Sequence, residues 1–120
     1  MMLMTEAVLI GVLTITSYQP IPAQTKHECK SRLNCQTSIG DGITKFGCAV
    51  SQDLLKSGLV HYGDVLYISG FGYRVVNDTM HPRIKKSVDL LVFTQKEEKA
   101  VGVRKIQVWK VNANVAHNQN

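Results

Sequence analysis

Residues 75–92 read VVNDTMHPRIKKSVDLLV, a stretch that sets two aspartates, Asp78 and Asp89, eleven positions apart. Each aspartate interrupts a short run of β-branched or aliphatic residues of the kind that favours strands. A carboxylate inside a strand is costly to bury unless it is paired, hydrogen-bonded or protonated. The two aspartates therefore mark either a functional site or two exposed positions that alternate with buried neighbours.

Strand signals recur on both sides of this stretch. Apolar or alternating runs predict strands at residues 8–18, 46–50, 65–68, 73–76, 88–92 and 103–111. Two short helices are predicted at residues 52–57, after an N-cap at Ser51, and at residues 95–101, after a capping box formed by Thr94 and Glu97. This order predicts a small all-β barrel of six strands with one or two short helices.

Length and charge limit the class of protein. The 120 residues are 44% hydrophobic and 19% charged, which predicts one globular domain with a core at about residues 12–111 and a polar tail at 112–120. The net charge of +5 is dispersed along the chain, so we expect no nucleic-acid partner. The longest apolar run is far shorter than a membrane span, and we expect no membrane partner.

The N-terminal apolar run, residues 7–15, has two interpretations. It has the length of a signal-peptide core, but Glu6 precedes it where a signal would carry positive charge. Residues 13–18 alternate in the manner of a strand, and we favour a first strand over a signal.

Three cysteines, Cys29, Cys35 and Cys48, lie within one short window, and an odd number leaves at least one thiol unpaired within the chain. A disulfide among them is one interpretation if the protein leaves the cytosol. With His27 they also make four candidate zinc ligands, but the spacing matches no compact zinc knuckle, so we expect no metal.

Other chemical motifs are weak. The histidines have no nucleophile-elbow context, and the Gly-x-Gly at residues 70–72 lacks the helix that follows a phosphate-binding loop. Glu97 and Glu98 fall at a helix start and are interpreted as solvated capping residues.

Several segments in order resemble one family. They are TSIG at residues 37–40, AVS at 49–51, YGDVLYI at 62–68, GFG at 70–72, VNDTMHPR at 76–83, SVDL at 87–90 and AVGVR at 100–104. Together they resemble the three-aspartate (3D) domain of bacterial and phage cell-wall proteins, which is similar to the catalytic domain of membrane-bound lytic transglycosylase A. The resemblance covers most of the chain, from about residue 12 to residue 111.

The resemblance implies a six-stranded double-psi β-barrel that acts on peptidoglycan glycan strands without a cofactor. Such enzymes cleave the bond between N-acetylmuramic acid and N-acetylglucosamine and leave a 1,6-anhydro product. One carboxyl serves first as acid and then as base, which requires a raised pKa. By position, Asp89 matches that acid/base and Asp78 matches the second aspartate. The remaining positions implied to bind substrate are Thr37, Gly40, Ser51, Thr79 and Arg83.

Two departures from the family pattern open an alternative. Ser51 stands where the family carries its first aspartate, with Asp53 two residues further on, and the segment from Met80 to Arg83 replaces a Gly-Gly pair. The alternative is a non-catalytic glycan-binding or structural module, such as the hub or cap of a phage tail. Either function places the protein outside the cytoplasm, in the cell wall or periplasm, or on a virion among other tail or cell-envelope proteins.

Overall fold

The computed structural model describes residues 7–19 and 46–111. This part of the chain contains eight elements: β1 (Ala7–Tyr18), β2 (Gly47–Val50), α1 (Gln52–Lys56), β3 (Val65–Ile68), β4 (Gly72–Thr79), β5 (Ser87–Leu91), α2 (Gln95–Val101) and β6 (Arg104–Val111). The predicted strands and both helices are confirmed, and most of their bounds differ by one or two residues. The N-terminal apolar run forms most of β1, as the strand interpretation predicted. β4 is longer than predicted, because it continues through Asp78 to Thr79.

The six strands close into a barrel in the order β1-β5-β2-β4-β3-β6, which confirms the predicted fold class. β1 runs parallel to β5 and β2 runs parallel to β4, whereas the other neighbours are antiparallel. β1 and β2 thus enclose β5, and β4 and β5 enclose β2. This is the interlocked double-psi arrangement.

The barrel has an internal two-fold relation in its connectivity. The first half runs β1-β2-α1-β3 and the second runs β4-β5-α2-β6. The cyclic strand order is unchanged when the halves are exchanged, so that β1 replaces β4, β2 replaces β5 and β3 replaces β6. The antiparallel pair β2 and β5 therefore lies at the centre of one side of the barrel.

Alternation of side chains fills the barrel interior. In β5, Val88 and Leu90 are fully buried in the core and Asp89 between them faces outward. Ile15 of β1 and Val50 of β2 join the same core. Burying each of these side chains stabilises the fold by about 1.5–3 kcal/mol, so the register of β5 is strongly specified.

The two helices begin differently. The capping box of α2 is confirmed, since Thr94 Oγ1 accepts the Glu97 N–H at 3.0 Å and the Glu97 carboxylate accepts the Thr94 N–H at 3.1 Å. The predicted capping by Ser51 is wrong in its chemistry. Ser51 occupies the N-cap position of α1 but makes no side-chain cap bond. Its hydroxyl instead accepts the Ser87 N–H at 3.0 Å and so joins α1 to the start of β5.

The segment at residues 100–104 closes the end of α2. Gly102 ends α2 with φ of +60°, a conformation that favours glycine. The Arg104 guanidinium then donates to the carbonyls of Val101 and Ala100, both at 2.9 Å. Arg104 therefore satisfies carbonyls that the end of a helix leaves open.

Candidate active site

Four neighbouring strands align four residues across the outside of the barrel. Thr16 of β1 pairs with Asp89 of β5, Asp89 pairs with Ala49 of β2, and Ala49 pairs with Asp78 of β4. Direct cross-strand neighbours point to the same face of a sheet. We name these four residues, in the order Thr16, Asp89, Ala49 and Asp78, the carboxylate row.

A bulge brings Asp78 into this row. The register of β4 against β2 shifts between two pairs, Cys48 with Val76 and Ala49 with Asp78, so Asn77 is the extra residue. If β4 were regular and had no bulge, strict alternation would turn Asp78 toward the core together with Val76.

Asp78 and Asp89 share the row but are not neighbours. β2 separates their strands, so their backbones lie about 10 Å apart, which is two strand spacings. The small side chain of Ala49 lies between them. The two aspartates predicted as a pair are therefore brought to one face, with unequal surroundings.

Asp89 has the surroundings of a proton donor. Its Oδ1 accepts a hydrogen bond from Thr16 Oγ1 at 2.7 Å. Burial raises the pKa of Asp89 to about 6, and the negative charges of Glu98 and Asp78 add to this effect, whereas the Thr16 hydrogen bond opposes it. Asp89 therefore changes its protonation state at mildly acidic pH, which suits a group that must donate and later accept a proton.

An apolar cluster on the outside of the barrel adjoins the row. Tyr18, Ala49 and Leu91 are buried there, and Met80 and Phe93 pack against them. Such neighbours withdraw the row from water, which is the main cause of the raised pKa of Asp89. The cluster also favours reactions that must exclude water.

Glu98 belongs to the site, contrary to its interpretation as a solvated cap. Only Glu97 takes part in the capping box of α2. The Glu98 carboxylate accepts a hydrogen bond from Gln19 Nε2 at 2.8 Å, and its backbone carbonyl accepts one from Ser17 Oγ at 3.4 Å. The end of β1 thus holds the first turn of α2, and the charge of Glu98 raises the pKa of Asp89.

Asp78 and Thr79 are held by short local bonds. The Thr79 N–H donates to Asp78 Oδ1 at 2.8 Å, and Thr79 Oγ1 donates to the Val50 carbonyl at 3.2 Å. Asp78 is 7% exposed. These bonds fix Asp78 at the end of β4, beside the apolar cluster.

Asp53 is not part of the carboxylate row. Its carboxylate lies in the first turn of α1 and accepts the Lys86 N–H at 3.1 and 3.3 Å. Burial raises the pKa of Asp53, but hydrogen bonds from Ser51 and Lys86 outweigh it and bring the pKa below its ordinary value. Lys86 has φ of +46°, a left-handed conformation unusual for a residue other than glycine. Asp53 thus stabilises the turn that leads into β5.

The remaining predicted residues are placed as follows. Ser51 is fully buried and Arg83 is exposed on the turn between β4 and β5. Thr37 and Gly40 lie outside the described residues, as do Cys29 and Cys35. Cys48 is a free thiol buried in the core, and burial raises its pKa to about 12. The sequence leaves the pairing among the three cysteines open; a disulfide that includes Cys48 is not formed, and the other two cysteines stay untested.

A concave surface lies on another side of the barrel. It is a cavity of about 270 Å³ lined by Ala7, Tyr67, Tyr73, Trp109 and Val111. Its lining carries no carboxylate, thiol or imidazole. This cavity therefore offers apolar and aromatic contacts rather than an acid or a nucleophilic thiol.

Comparison with known proteins adds no identification. Neither a scan against protein-family models nor a search of the curated proteins finds a match. Among the described residues, no helix is long and apolar enough to span a bilayer.

Proposed function

We propose that this chain is a peptidoglycan-cleaving domain of the lytic transglycosylase type, acting on the bond between N-acetylmuramic acid and N-acetylglucosamine. The observation that carries the proposal is the environment of Asp89: an outward carboxyl, largely buried, with a pKa raised to about 6. The resemblance of residues 76–90 to the 3D-domain pattern names the substrate class. Asp78, on the same row, would position the sugar.

The proposed reaction uses Asp89 twice. Protonated Asp89 gives its proton to the glycosidic oxygen as the bond from that oxygen to the anomeric carbon breaks. The resulting carboxylate takes the proton of the muramic acid C6 hydroxyl, whose oxygen forms the new bond to the anomeric carbon. The 1,6-anhydro product forms, Asp89 is protonated again, and no water is consumed. Two-carboxylate glycosidases instead use a second group that attacks directly or activates water.

Three features support this single-acid chemistry. The raised pKa of Asp89 lies near the working pH, as a group that both donates and accepts a proton requires. The apolar cluster with Leu91 and Phe93 disfavours attack by water. The β2 strand between Asp78 and Asp89 gives the two carboxyls different surroundings and so different roles.

The test is cleavage of purified sacculi by the wild type and by Asp89→Asn. We expect 1,6-anhydromuropeptides from the wild type, detected by mass spectrometry, and a loss of at least about 100-fold in Asp89→Asn, the usual scale for removal of an acid/base group. Asp64→Asn is the matched control, because Asp64 lies away from the row and pairs with Lys110. Absence of the anhydro product with the folded wild type would refute the proposal.

A second candidate is a non-catalytic glycan-binding or structural module, including the hub or cap of a phage tail. It is favoured by Ser51, which is fully buried and bonded to Ser87 where the family pattern carries a carboxylate. This candidate predicts binding to sacculi without product release, unchanged in Asp89→Asn, and co-purification with virions. Both candidates place the protein at the cell wall, either exported or carried there on a particle.

A further inference from the structure

The turn between β4 and β5 presents positive charge that forms no salt bridge with a carboxylate of the described residues. Residues 81–86 are all exposed and include Arg83, Lys85 and Lys86. The ion pairs within the described ranges join Asp64 to Lys110 and to His61 instead. Asp53, whose charge attracts Lys85, already accepts hydrogen bonds from Ser51 and the Lys86 backbone. We name residues 81–86 the cationic turn.

Backbone hydrogen bonds hold the cationic turn in one shape. The Ile84 N–H donates to the His81 carbonyl at 2.9 Å, and the Arg83 N–H donates to His81 Nδ1 at 3.1 Å. At the far end, Ser87 Oγ donates to the Lys85 carbonyl at 2.7 Å. The Asp53 carboxylate holds the left-handed Lys86. The charges are therefore presented from a pre-organised backbone, which lowers the entropy lost on binding.

The turn borders the carboxylate row. It begins three residues after Asp78 and ends three residues before Asp89. Met80, just before it, donates its N–H to the Val50 carbonyl at 2.9 Å, so the chain crosses the end of β2 next to Ala49. A polymer lying along the row would therefore have the cations to one side of it, about three residues or roughly 10 Å along the strands, within reach of a branch of the polymer.

We propose that the cationic turn binds the carboxylates of the peptide stems attached to muramic acid. This inference rests on the proposed function, since it assigns a second part of the same substrate. The N-acetylated glycan backbone is neutral, and its lactyl carboxyl is consumed in the amide bond to the peptide. The anionic groups nearest the cleaved bond are therefore the peptide carboxylates. Arg83 offers a planar fork that matches a carboxylate, and the two lysines add point charges.

Binding is measured in the Asp89→Asn background, so that cleavage does not change the sacculi during the assay. The test variant carries Arg83→Gln, Lys85→Gln and Lys86→Gln. The matched control carries Lys96→Gln, Lys99→Gln and Lys105→Gln, which removes the same charge from α2 and β6, outside the cationic turn. Pelleting gives the affinity for intact sacculi and for sacculi stripped of peptides by an amidase.

We expect the test variant to bind intact sacculi about tenfold more weakly than its parent, as three exposed ion pairs imply, and the control variant to bind like the parent. Stripped sacculi should bind parent and test variant alike, and raising NaCl from about 50 to about 300 mM should reduce the difference on intact sacculi. The inference would be overturned if both triple variants bound more weakly by the same factor, or if the parent bound intact and stripped sacculi with equal affinity. It would also be overturned if the parent bound a short DNA duplex as tightly as it binds intact sacculi. Release of anhydro product by the wild type is measured separately. The proposed function fails if the wild type releases no such product, whereas the inference about the cationic turn fails on the binding results alone.

Discussion

Replacing Asp89 with asparagine should make the protein more stable at neutral pH. The wild type must hold a carboxylate in a largely buried position above pH 6, where asparagine has nearly the same shape and no charge. The asparagine carbonyl can still accept the hydrogen bond from Thr16 Oγ1. The substitution also removes repulsion from Glu98 and Asp78. A gain in stability on loss of a proposed acid/base group is the expected result of a strained functional site.

The pKa of Asp89 sets the size and the pH range of this gain. The pKa rises from 3.8 to about 6 on folding. At about 1.36 kcal/mol per pKa unit, this shift lowers the free energy of unfolding of the wild type by up to about 3 kcal/mol once Asp89 is ionised. Because the folded pKa is raised, the favourable contribution of protonated Asp89 is complete below pH 3.8 and is lost as the pH rises through about 6. The advantage of Asp89→Asn should therefore be small below pH 4, grow between pH 4 and 6, and level off above pH 7.

Urea unfolding of both proteins across this pH range measures the difference directly. At pH 7.5 we expect a gain of about 1–3 kcal/mol, equivalent to several degrees in Tm for a domain of this size. Asp64→Asn is the control, because it removes a carboxylate away from the row that pairs with Lys110 and should lower the free energy of unfolding. An Asp89→Asn protein that is less stable than the wild type at pH 7.5, or more stable by the same amount at every pH, would contradict a raised pKa for Asp89.

Other substitutions test the surroundings of Asp89 and the bulge. Glu98→Gln removes a charge that raises the pKa of Asp89, so the alkaline limb of the pH profile of product release should move to lower pH. Thr16→Val removes the hydrogen bond that lowers this pKa and should move the same limb to higher pH, and shifts in one common direction would contradict both assignments. Gly47→Ala places a Cβ within 2.8–2.9 Å of the Asn77 side-chain amide and should lower the free energy of unfolding in urea by about 1–3 kcal/mol. Adding Asn77→Ala should recover part of that loss, and no recovery would show that the cost lies elsewhere.

Local sequence patterns predicted most of the secondary structure. The alternation of Val88, Asp89 and Leu90 predicted which side chains of β5 face the core, and burial confirms it. The Thr94 and Glu97 capping box was readable because both partners lie within one helical turn. These features depend on neighbours close in sequence, which a single chain displays directly.

The unpredicted features depend on distant partners. Thr16 is 73 residues from Asp89, and Gln19 is 79 residues from Glu98, so no local pattern links them. Ser51 had the sequence context of a cap, but its hydroxyl bonds to Ser87, 36 residues away. A strand order that interlocks the two halves produces these contacts, and it was implied only by the family resemblance.

The two-fold relation between the halves explains why one carboxyl carries the proposed chemistry. Exchanging the halves brings Thr16 to the position of Asp78 and Ala49 to the position of Asp89. A symmetric sequence would thus place two equivalent carboxyl groups side by side at the centre of the row, where each would strongly shift the pKa of the other. This chain has alanine at one central position and threonine at one outer position. Asp89 is consequently the one central carboxyl of the row, with a hydrogen-bond donor on one side, a methyl group on the other and Asp78 a further strand away. Such a site suits a reaction in which a single group is acid and then base.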